Sequence, residues 1–427
     1  MVVLGGNSNK ILQNEMRLKG HVFSVSNGEL VLTKQSGVTE KVVLSIFNFQ
    51  RYRSSYKCIK SILNLMKMRS KIMVLTGAGI SVSCGIPDFR SSGGIYARLK
   101  REYPQLSCPE DMFDFDVFKS DPRPFYSFAK DIFPGQFRPS LTHQFIRSLE
   151  RKSKLLQNYT QNIDTLEQVA GISKVCYCHG SFATASCMDC RRSFSGEDIR
   201  KAVMSQHIPY CPHCNPEIGL KGISAKSNIH LPSTGVVKPD IVFFKENLPS
   251  HFTDCIEMDR NETDLLLVIG TSLQVYPVAS IPRYLPVNIP KVLINREPID
   301  DLKFDFELIG DCDVIVRHLC SELNWNLGGE ESDDKTSASR LSKVDLSVPL
   351  KTALKVLGTP VASKDRKKSG GAKFNLAQFL PKNTFTEVQE GLYVFEGSEL
   401  TLSRETATEY LGKYYPNDGD YLRPSKS

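Results

Sequence analysis

The sharpest chemical signal in the chain is two pairs of cysteines, Cys187-x2-Cys190 and Cys211-x2-Cys214. Each CxxC turn sets two sulfurs on one side of a knuckle, and two knuckles complete a tetrahedron of thiolates, the ligand set of a zinc ribbon. A closed shell of this kind leaves no position for water, so the one Zn2+ ion expected there is structural. His207 and His213 lie nearby in the sequence, but four thiolates already fill the shell. The other cysteines (Cys58, Cys84, Cys108, Cys176, Cys178, Cys255, Cys312, Cys320) read as core or surface thiols. A second group is Thr160-Gln161-Asn162-Ile163-Asp164, whose amides and carboxylate can order a water and bind a carboxamide. A third is Tyr177-Cys178-His179-Gly180-Ser181. Histidine is the side chain best suited to accept a proton near neutral pH, which makes His179 a candidate general base among eight histidines.

These groups need a scaffold, and its anchor is Lys71-Ile72-Met73-Val74-Leu75-Thr76-Gly77-Ala78-Gly79-Ile80-Ser81. The apolar run reads as a buried parallel strand. Gly77 and Gly79 read as a tight turn that lets the backbone approach a pyrophosphate, followed by a helix aiming its N–H groups at that anion. Further apolar runs at 154–159, 264–269 and 291–295 alternate with helical spacing at 56–68, 142–150 and 164–171. The order predicts an α/β fold: a Rossmann-like, doubly wound parallel sheet. The polar strand ends at Thr76-Gly77, Gln161-Asn162, Gly270-Thr271-Ser272 and Asn295-Arg296-Glu297 should converge on one crevice. Two inserts, a loop-and-helix stretch at 84–137 and the cysteine stretch at 187–214, should form a smaller lobe, a zinc ribbon with a helical insert.

Composition narrows the class. In 427 residues, hydrophobic content is 41% and charged content 24%, ordinary for a globular chain. The net charge of +7 is spread over 54 basic residues, which argues against sequence-specific nucleic-acid binding. No membrane span and no secretory signal are expected. Twelve cysteines without a leader point to metal ligands and free thiols. Residues 1–55 form an unassigned extension with strand-like alternation at 20–32 and 42–49. The catalytic domain is expected over 56–328 and a disordered linker over 329–384. A C-terminal segment, 385–427, should bring a hairpin around 391–400 onto the main domain before a tail.

Taken together, Gly77-Ala78-Gly79-Ile80-Ser81, Gly85-Ile86-Pro87-Asp88-Phe89-Arg90, Thr160-Gln161-Asn162-Ile163-Asp164, Cys178-His179-Gly180-Ser181, the paired CxxC, Lys238-Pro239-Asp240-Ile241-Val242-Phe243-Phe244, Gly270-Thr271-Ser272-Leu273 and Ile294-Asn295-Arg296-Glu297 resemble the sirtuin family over about residues 60–325. Residues 82–87 and 180–187 further resemble its nuclear class I branch, as does the late hairpin.

The resemblance implies an NAD-dependent protein-lysine deacetylase that yields nicotinamide and 2′-O-acetyl-ADP-ribose. His179 would be the base on a ribose hydroxyl, with Asn162 beside it in the catalytic pair. For NAD+ it implies Gly77, Ala78, Gly79 and Ile80 at the turn, and Asp88, Phe89 and Arg90 in a mobile loop with Tyr96 beside it. Asn162, Ile163 and Asp164 would hold the nicotinamide side and Gln161 the ribose. Gly270, Thr271 and Ser272 would meet phosphate and ribose, Asn295, Arg296 and Glu297 the adenosine ribose, and Cys312 the adenine edge. Acetylated protein substrates (histone tails and transcription factors) would pair as a strand between residues 235–237 and 242–246, touching Val242, Phe243, Phe244 and Glu246. Chromatin complexes and the nucleus are the implied partners and place. Members that remove acidic acyl groups carry a Tyr-x-x-Arg pair where this chain has Ala129 and Ile132, which favours a neutral acyl group. The chain departs from the family at Lys245, where glycine is usual. Mono-ADP-ribosyl transfer and a non-catalytic NAD-sensing chromatin scaffold are the alternatives.

Overall fold

The computed structural model describes residues 21–26, 29–34, 39–40, 58–327 (less 87, 90–93, 105 and 301), 341–343 and 373–403. Two compact units divide the chain after Lys57. In the first, β1 (His21–Ser26), β2 (Glu29–Lys34) and β3 (Thr39–Glu40) make an antiparallel meander. The alternation expected at 42–49 lies outside the described residues.

The second unit begins with α1 (Ile59–Met68), which buries Ile62, Leu63, Leu65 and Met66. Next comes β4 (Ile72–Thr76), buried at every residue. The helical insert carries α2 (Ile95–Glu102), α3 (Phe115–Ser120) and α4 (Arg123–Phe128). The chain returns through α5 (Leu141–Arg151), β5 (Leu155–Thr160), α6 (Leu166–Val169) and β6 (Val175–Tyr177). The ribbon follows as β7 (Gly180–Cys187), β8 (Ser193–Ser195), α7 (Gly196–Met204), β9 (His207–Ile208), β10 (Ile223–Ser224) and β11 (Val237–Ile241). It is therefore longer than the expected insert at 187–214. Then come α8 (Ser250–Asp259), β12 (Leu265–Ile269), α9 (Ile281–Tyr284), β13 (Lys291–Asn295), β14 (Phe306–Ile309) and α10 (Cys312–Leu323). The last strands are β15 (Ser342–Lys343), β16 (Lys373–Asn375), β17 (Thr384–Gln389), β18 (Leu392–Val394) and β19 (Thr401–Ser403).

Nine strands form the main sheet in the order β15-β17-β18-β14-β13-β12-β4-β5-β6. Every pair from β18 to β6 is parallel. The chain walks outward from β4 to β6 on one side and from β12 to β14 on the other, so the strand order reverses between β4 and β12. That switch point is where open α/β sheets bind ligands. The central strands are near-continuous apolar runs because both faces are covered. Met73, Leu75, Leu266 and Val268 share a core with Phe252, Ile256 and Ile281. The alternating residues Ile72, Val74, Leu265 and Leu267 point to the other face and are equally buried. There α10 packs against α1 and α5.

A second core fuses the two inserts into the small lobe. Phe113, Phe118, Phe125, Tyr126 and Phe128 pack with Phe182, Ile199, Tyr210, Val237 and Phe243. The Tyr126 hydroxyl donates to the Val237 carbonyl, tying α4 to β11.

Three expectations change. No helix opens at Gly79: Ala78–Ile80 and Val82–Cys84 are separate single 3-10 turns, the second closed by Gly85 at φ +93°. The expected linker at 329–384 contains two short strands, β15 and β16, and a 3-10 turn at Leu376–Phe379; most of its remainder lies outside the described residues. The hairpin is β17–β18, turning at Glu390-Gly391 rather than within 391–400. No described helix is long and apolar enough to cross a membrane.

Candidate active site

The carboxyl ends of β4, β5, β12 and β13 open into one cleft of about 1220 Å³, larger than the ~300–1,000 Å³ of most small-molecule sites. Gly77, Ala78 and Gly79 line it after β4, Gln161, Asn162 and Ile163 after β5, Gly270, Thr271 and Ser272 after β12, and Asn295, Arg296 and Glu297 after β13. Asp88, Phe89, Tyr96, His179 and Cys312 complete that wall. Val242, Phe243, Phe244 and Glu246 line the opposite one. Ile80 does not reach the cleft: it is buried beneath Gly270, its side chain filling the space a Cβ there would need. Asp164 lies in a small adjoining pocket with Asn162 and Ile163. Arg90 lies outside the described residues.

The glycines serve strand packing first. A Cβ on Gly77 would sit 2.7 Å from Thr271 Cβ, and one on Gly79 2.7 Å from Gly270 Cα. The Gly79 N–H donates to the Gly270 carbonyl at 2.8 Å. Two loops from neighbouring strands are thereby stitched together at the floor of the cleft.

His179 sits just past β6. Its Nδ1 is 3.0 Å from the Gln161 carbonyl, which can only accept, so Nδ1 carries the proton and Nε2 the lone pair. That Nε2 is buried and has no protein partner. Burial pulls His179 below the ordinary histidine value, against the opposing effect of the Gln161 carbonyl. The result is a neutral imidazole of fixed tautomer lining the cleft. Gln161 is held in turn, its Nε2 donating to Thr271 Oγ1 at 3.0 Å. Asn162 donates through Nδ2 to the Gly77 carbonyl and to Ser81 Oγ, which leaves its Oδ1 as the acceptor. Asp164 accepts from the Ser81 hydroxyl at 2.6 Å and from the Leu166 N–H. Behind it, His143 and Glu167 are fully buried, with side-chain atoms within 4.8 Å of the same carboxylate. Burial, with Asp164 beside it, pushes the Glu167 carboxyl above the ordinary carboxylate range. Neither residue carried a sequence motif; only the fold brings them together.

Glu246 is engaged by the protein itself. Its Oε2 meets Lys238 Nζ at 3.0 Å and accepts from the Phe243 N–H at 2.8 Å. Lys245, next to it, has φ +74° and places Nζ 2.9 Å from both Asp114 and Asp116. The expected peptide wall at 235–237 is already used: Met188 N–H donates to the Val236 carbonyl, Cys211 N–H to the Gly235 carbonyl, and Val237 pairs with Cys187 in the ribbon. Besides residues 242–248 the cleft is lined by Ser272, Gln274, Val275, Tyr276 and Pro277, four of which no motif had flagged. Glu399, from the C-terminal segment, also reaches the cleft. Ala129 and Ile132 are buried, and neither lines the main cleft.

Cys187, Cys190, Cys211 and Cys214 converge. The Sγ separations are 3.9 Å for Cys187–Cys214 and 3.7 Å for Cys190–Cys211. A tetrahedron with Zn–S bonds of about 2.3 Å has edges of about 3.8 Å, so the donor set fits one zinc ion. No histidine belongs to this cluster.

Residues 77–277 match the model of the Sir2 family. The NAD-dependent histone deacetylase sirtuin-1 of Drosophila melanogaster is 51% identical over 281 residues, 64% of this chain and 34% of that one. The NAD-dependent protein deacetylase sirtuin-1 of Rattus norvegicus is 48% identical over 312 residues, 72% of this chain and 53% of that one. The Homo sapiens protein of the same name is 48% identical over 312 residues, covering 39% of its length. The chain thus spans between a third and about half of these relatives. Residues 77–277 of this chain thus carry a Sir2-family domain, the domain of the sirtuins.

Proposed function

We propose that the chain is an NAD-dependent protein-lysine deacetylase acting on acetylated histones and transcription regulators in the nucleus. The observation that carries this reading is the buried, unpartnered Nε2 of His179 in a cleft at the sheet's switch point. When bound, NAD supplies a ribose bond to a cationic pyridine that departs as neutral nicotinamide. The protein's contribution is placement and one proton. His179 Nε2 accepts a proton from a hydroxyl presented to it, while Nδ1 stays committed to the Gln161 carbonyl. Asn162 Oδ1 orients a donor beneath it, and the Gly77 and Gly79 turn, Thr271 and Ser272 give the dinucleotide its seat. Zinc belongs at the four thiolates, where it braces the small lobe. The acyl-lysine enters between residues 242–248 and 272–277. Relatives named as histone and protein deacetylases support the substrate class.

Incubating the purified protein with an acetyl-lysine peptide should release nicotinamide only when NAD and peptide are both present. Radiolabel from NAD appearing on protein instead would favour mono-ADP-ribosyl transfer, and no turnover at all would favour a scaffold. His179→Ala should abolish nicotinamide release and leave NAD binding measurable by calorimetry. Because the base must be neutral, the acid limb of kcat/KM should fall below the ordinary histidine value of about 6.5. Rates should drop only as pH descends through that lowered value. A limb above 6.5 would contradict the assignment.

A further inference from the structure

A second cluster of soft ligands lies away from the ribbon. Cys176 is on β6, the outermost strand on its side of the main sheet, and is fully buried. Across from it, α8 presents His251 and Cys255, one helical turn apart and so on the same face. Cys255 Sγ lies 3.3 Å from His251 Nε2, and a ligand atom from each of Cys176, His251 and Cys255 falls within 4.8 Å of the others. Cys176 and Cys255 also contact each other through their side chains. Cys255 is buried while His251 reaches solvent, so the cluster has a closed sulfur side and an open imidazole side. Asp259, one turn further along α8, is already engaged by the Tyr159 hydroxyl at 2.6 Å.

We propose that Cys176, His251 and Cys255 form a second metal site, independent of the structural ribbon, for a thiophilic d10 cation such as Zn2+ or Cu+. Two sulfurs and one imidazole are the donor set that soft and borderline cations select over Mg2+ or Ca2+. Zn–S bonds of about 2.3 Å and Zn–N bonds of about 2.0–2.1 Å require donor separations a little under 4 Å. His251, exposed and on a helix surface, supplies the required adjustment by rotation. For Zn2+ the binding step exchanges two thiol protons for the ion, with the imidazole neutral and a water in the fourth position toward solvent. For Cu+ the three protein ligands suffice. Either ion would clamp α8, whose Phe252 and Thr253 line the cleft, to the strand that leads into His179.

The test is metal stoichiometry on the whole chain, isolated without reductant. Protein equilibrated with excess Zn2+ or, anaerobically, with Cu+ and then passed over a desalting column should retain two metal equivalents. His251→Ala and Cys255→Ala should each retain only the single zinc of the ribbon, which also shows that the variants remain folded. Co2+ loading should add a second set of d–d bands in the wild type that both variants lack. The two ions are told apart by which one fills the second position in competition. One equivalent at saturating metal in the wild type would overturn the proposal. So would a second equivalent that survives both substitutions, or a Cys176–Cys255 disulfide seen as loss of two hydrogens in intact mass.

Discussion

At the scale of single residues, Lys245 shows how one side chain can set the character of a binding wall. Its backbone lies in the left-handed region, φ +74°, where a residue with a Cβ loses about 1 kcal/mol relative to glycine. The strain is held by two contacts: Nζ meets Asp114 and Asp116 at 2.9 Å each. Asp114 is itself the cap of α3, accepting the N–H groups of Asp116 and Val117. Hydrogen bonds to both carboxylates raise the Lys245 ammonium above its ordinary value, so its charge is present at every working pH. In sequence Lys245 is only a departure from the family's usual glycine; the structure shows a lysine whose charge is already shared between two aspartates. Lys245→Gly should therefore bare those carboxylates. We expect KM to fall several-fold for acetyl-peptides flanked by lysine or arginine, with kcat little changed and the gain fading at high salt. Peptide kinetics with basic and acidic flanks at two ionic strengths decide it. A gain for acidic flanks would show that Lys245 merely crowds the cleft. Thermal stability should move little, because relief of strain and loss of the two ion pairs of a largely exposed lysine oppose each other.

At the scale of elements, the zinc ribbon acts on the cleft through main-chain pairing. β11 pairs with β7, Val237 lying opposite Cys187, and runs directly into residues 242–246. The Val242 N–H then donates to the His179 carbonyl at 2.8 Å. A four-thiolate site contributes folding free energy, so removing the ion should loosen this path although zinc touches no substrate. Treatment with a strong chelator should cost both activity and the near-ultraviolet signature of the aromatic small-lobe core. Restoring one equivalent of Zn2+ should recover both, whereas Cys211→Ser should not recover. Full activity in metal-free protein would refute the coupling. The four central strands and the CxxC pairs were legible in sequence because each signal is local: a buried apolar run, or a fixed spacing. The short strands β6 and β14 that flank those four were not, since three or four residues carry no usable period. The packing role of Gly77 and Gly79 was hidden too, because it depends on Gly270 and Thr271, far away in sequence. So did the convergence of Cys176 with His251 and Cys255, each of which alone is an ordinary side chain.

At the scale of the whole second unit, the C-terminal segment completes the sheet and touches the site. β18 adds in parallel to β14, Leu308 lying opposite Tyr393, and β17 folds back on it. Phe395 is fully buried and stacks on Phe385 with centroids 5.0 Å apart, and His318 of α10 packs against both rings. Gly397 is needed at this junction, for it stands at φ +79° and a Cβ there would meet the Asp311 carboxylate at 2.2 Å. The segment then donates its Glu399 N–H to the Arg296 carbonyl at 2.7 Å, and Arg296 Nε meets Asp311 at 2.9 Å. Thus the stretch after β13, on the cleft's Asn295–Glu297 side, is held from behind by residues about a hundred positions later. Phe395→Ala should cost about 3–5 kcal/mol, the usual loss for a buried ring, read as a lower denaturant midpoint. Because the released segment no longer pins Arg296, KM for NAD should rise more than KM for the acetyl-peptide, and kcat should hold. Glu399→Pro, which removes that N–H together with the carboxylate that reaches the cleft and pairs with Arg296, should raise KM for NAD more than Glu399→Ala, which removes the carboxylate alone, and with a much smaller loss of stability than Phe395→Ala. If Glu399→Pro leaves KM for NAD unchanged while Phe395→Ala raises both KM values equally, the segment supports the fold without shaping the dinucleotide end of the cleft.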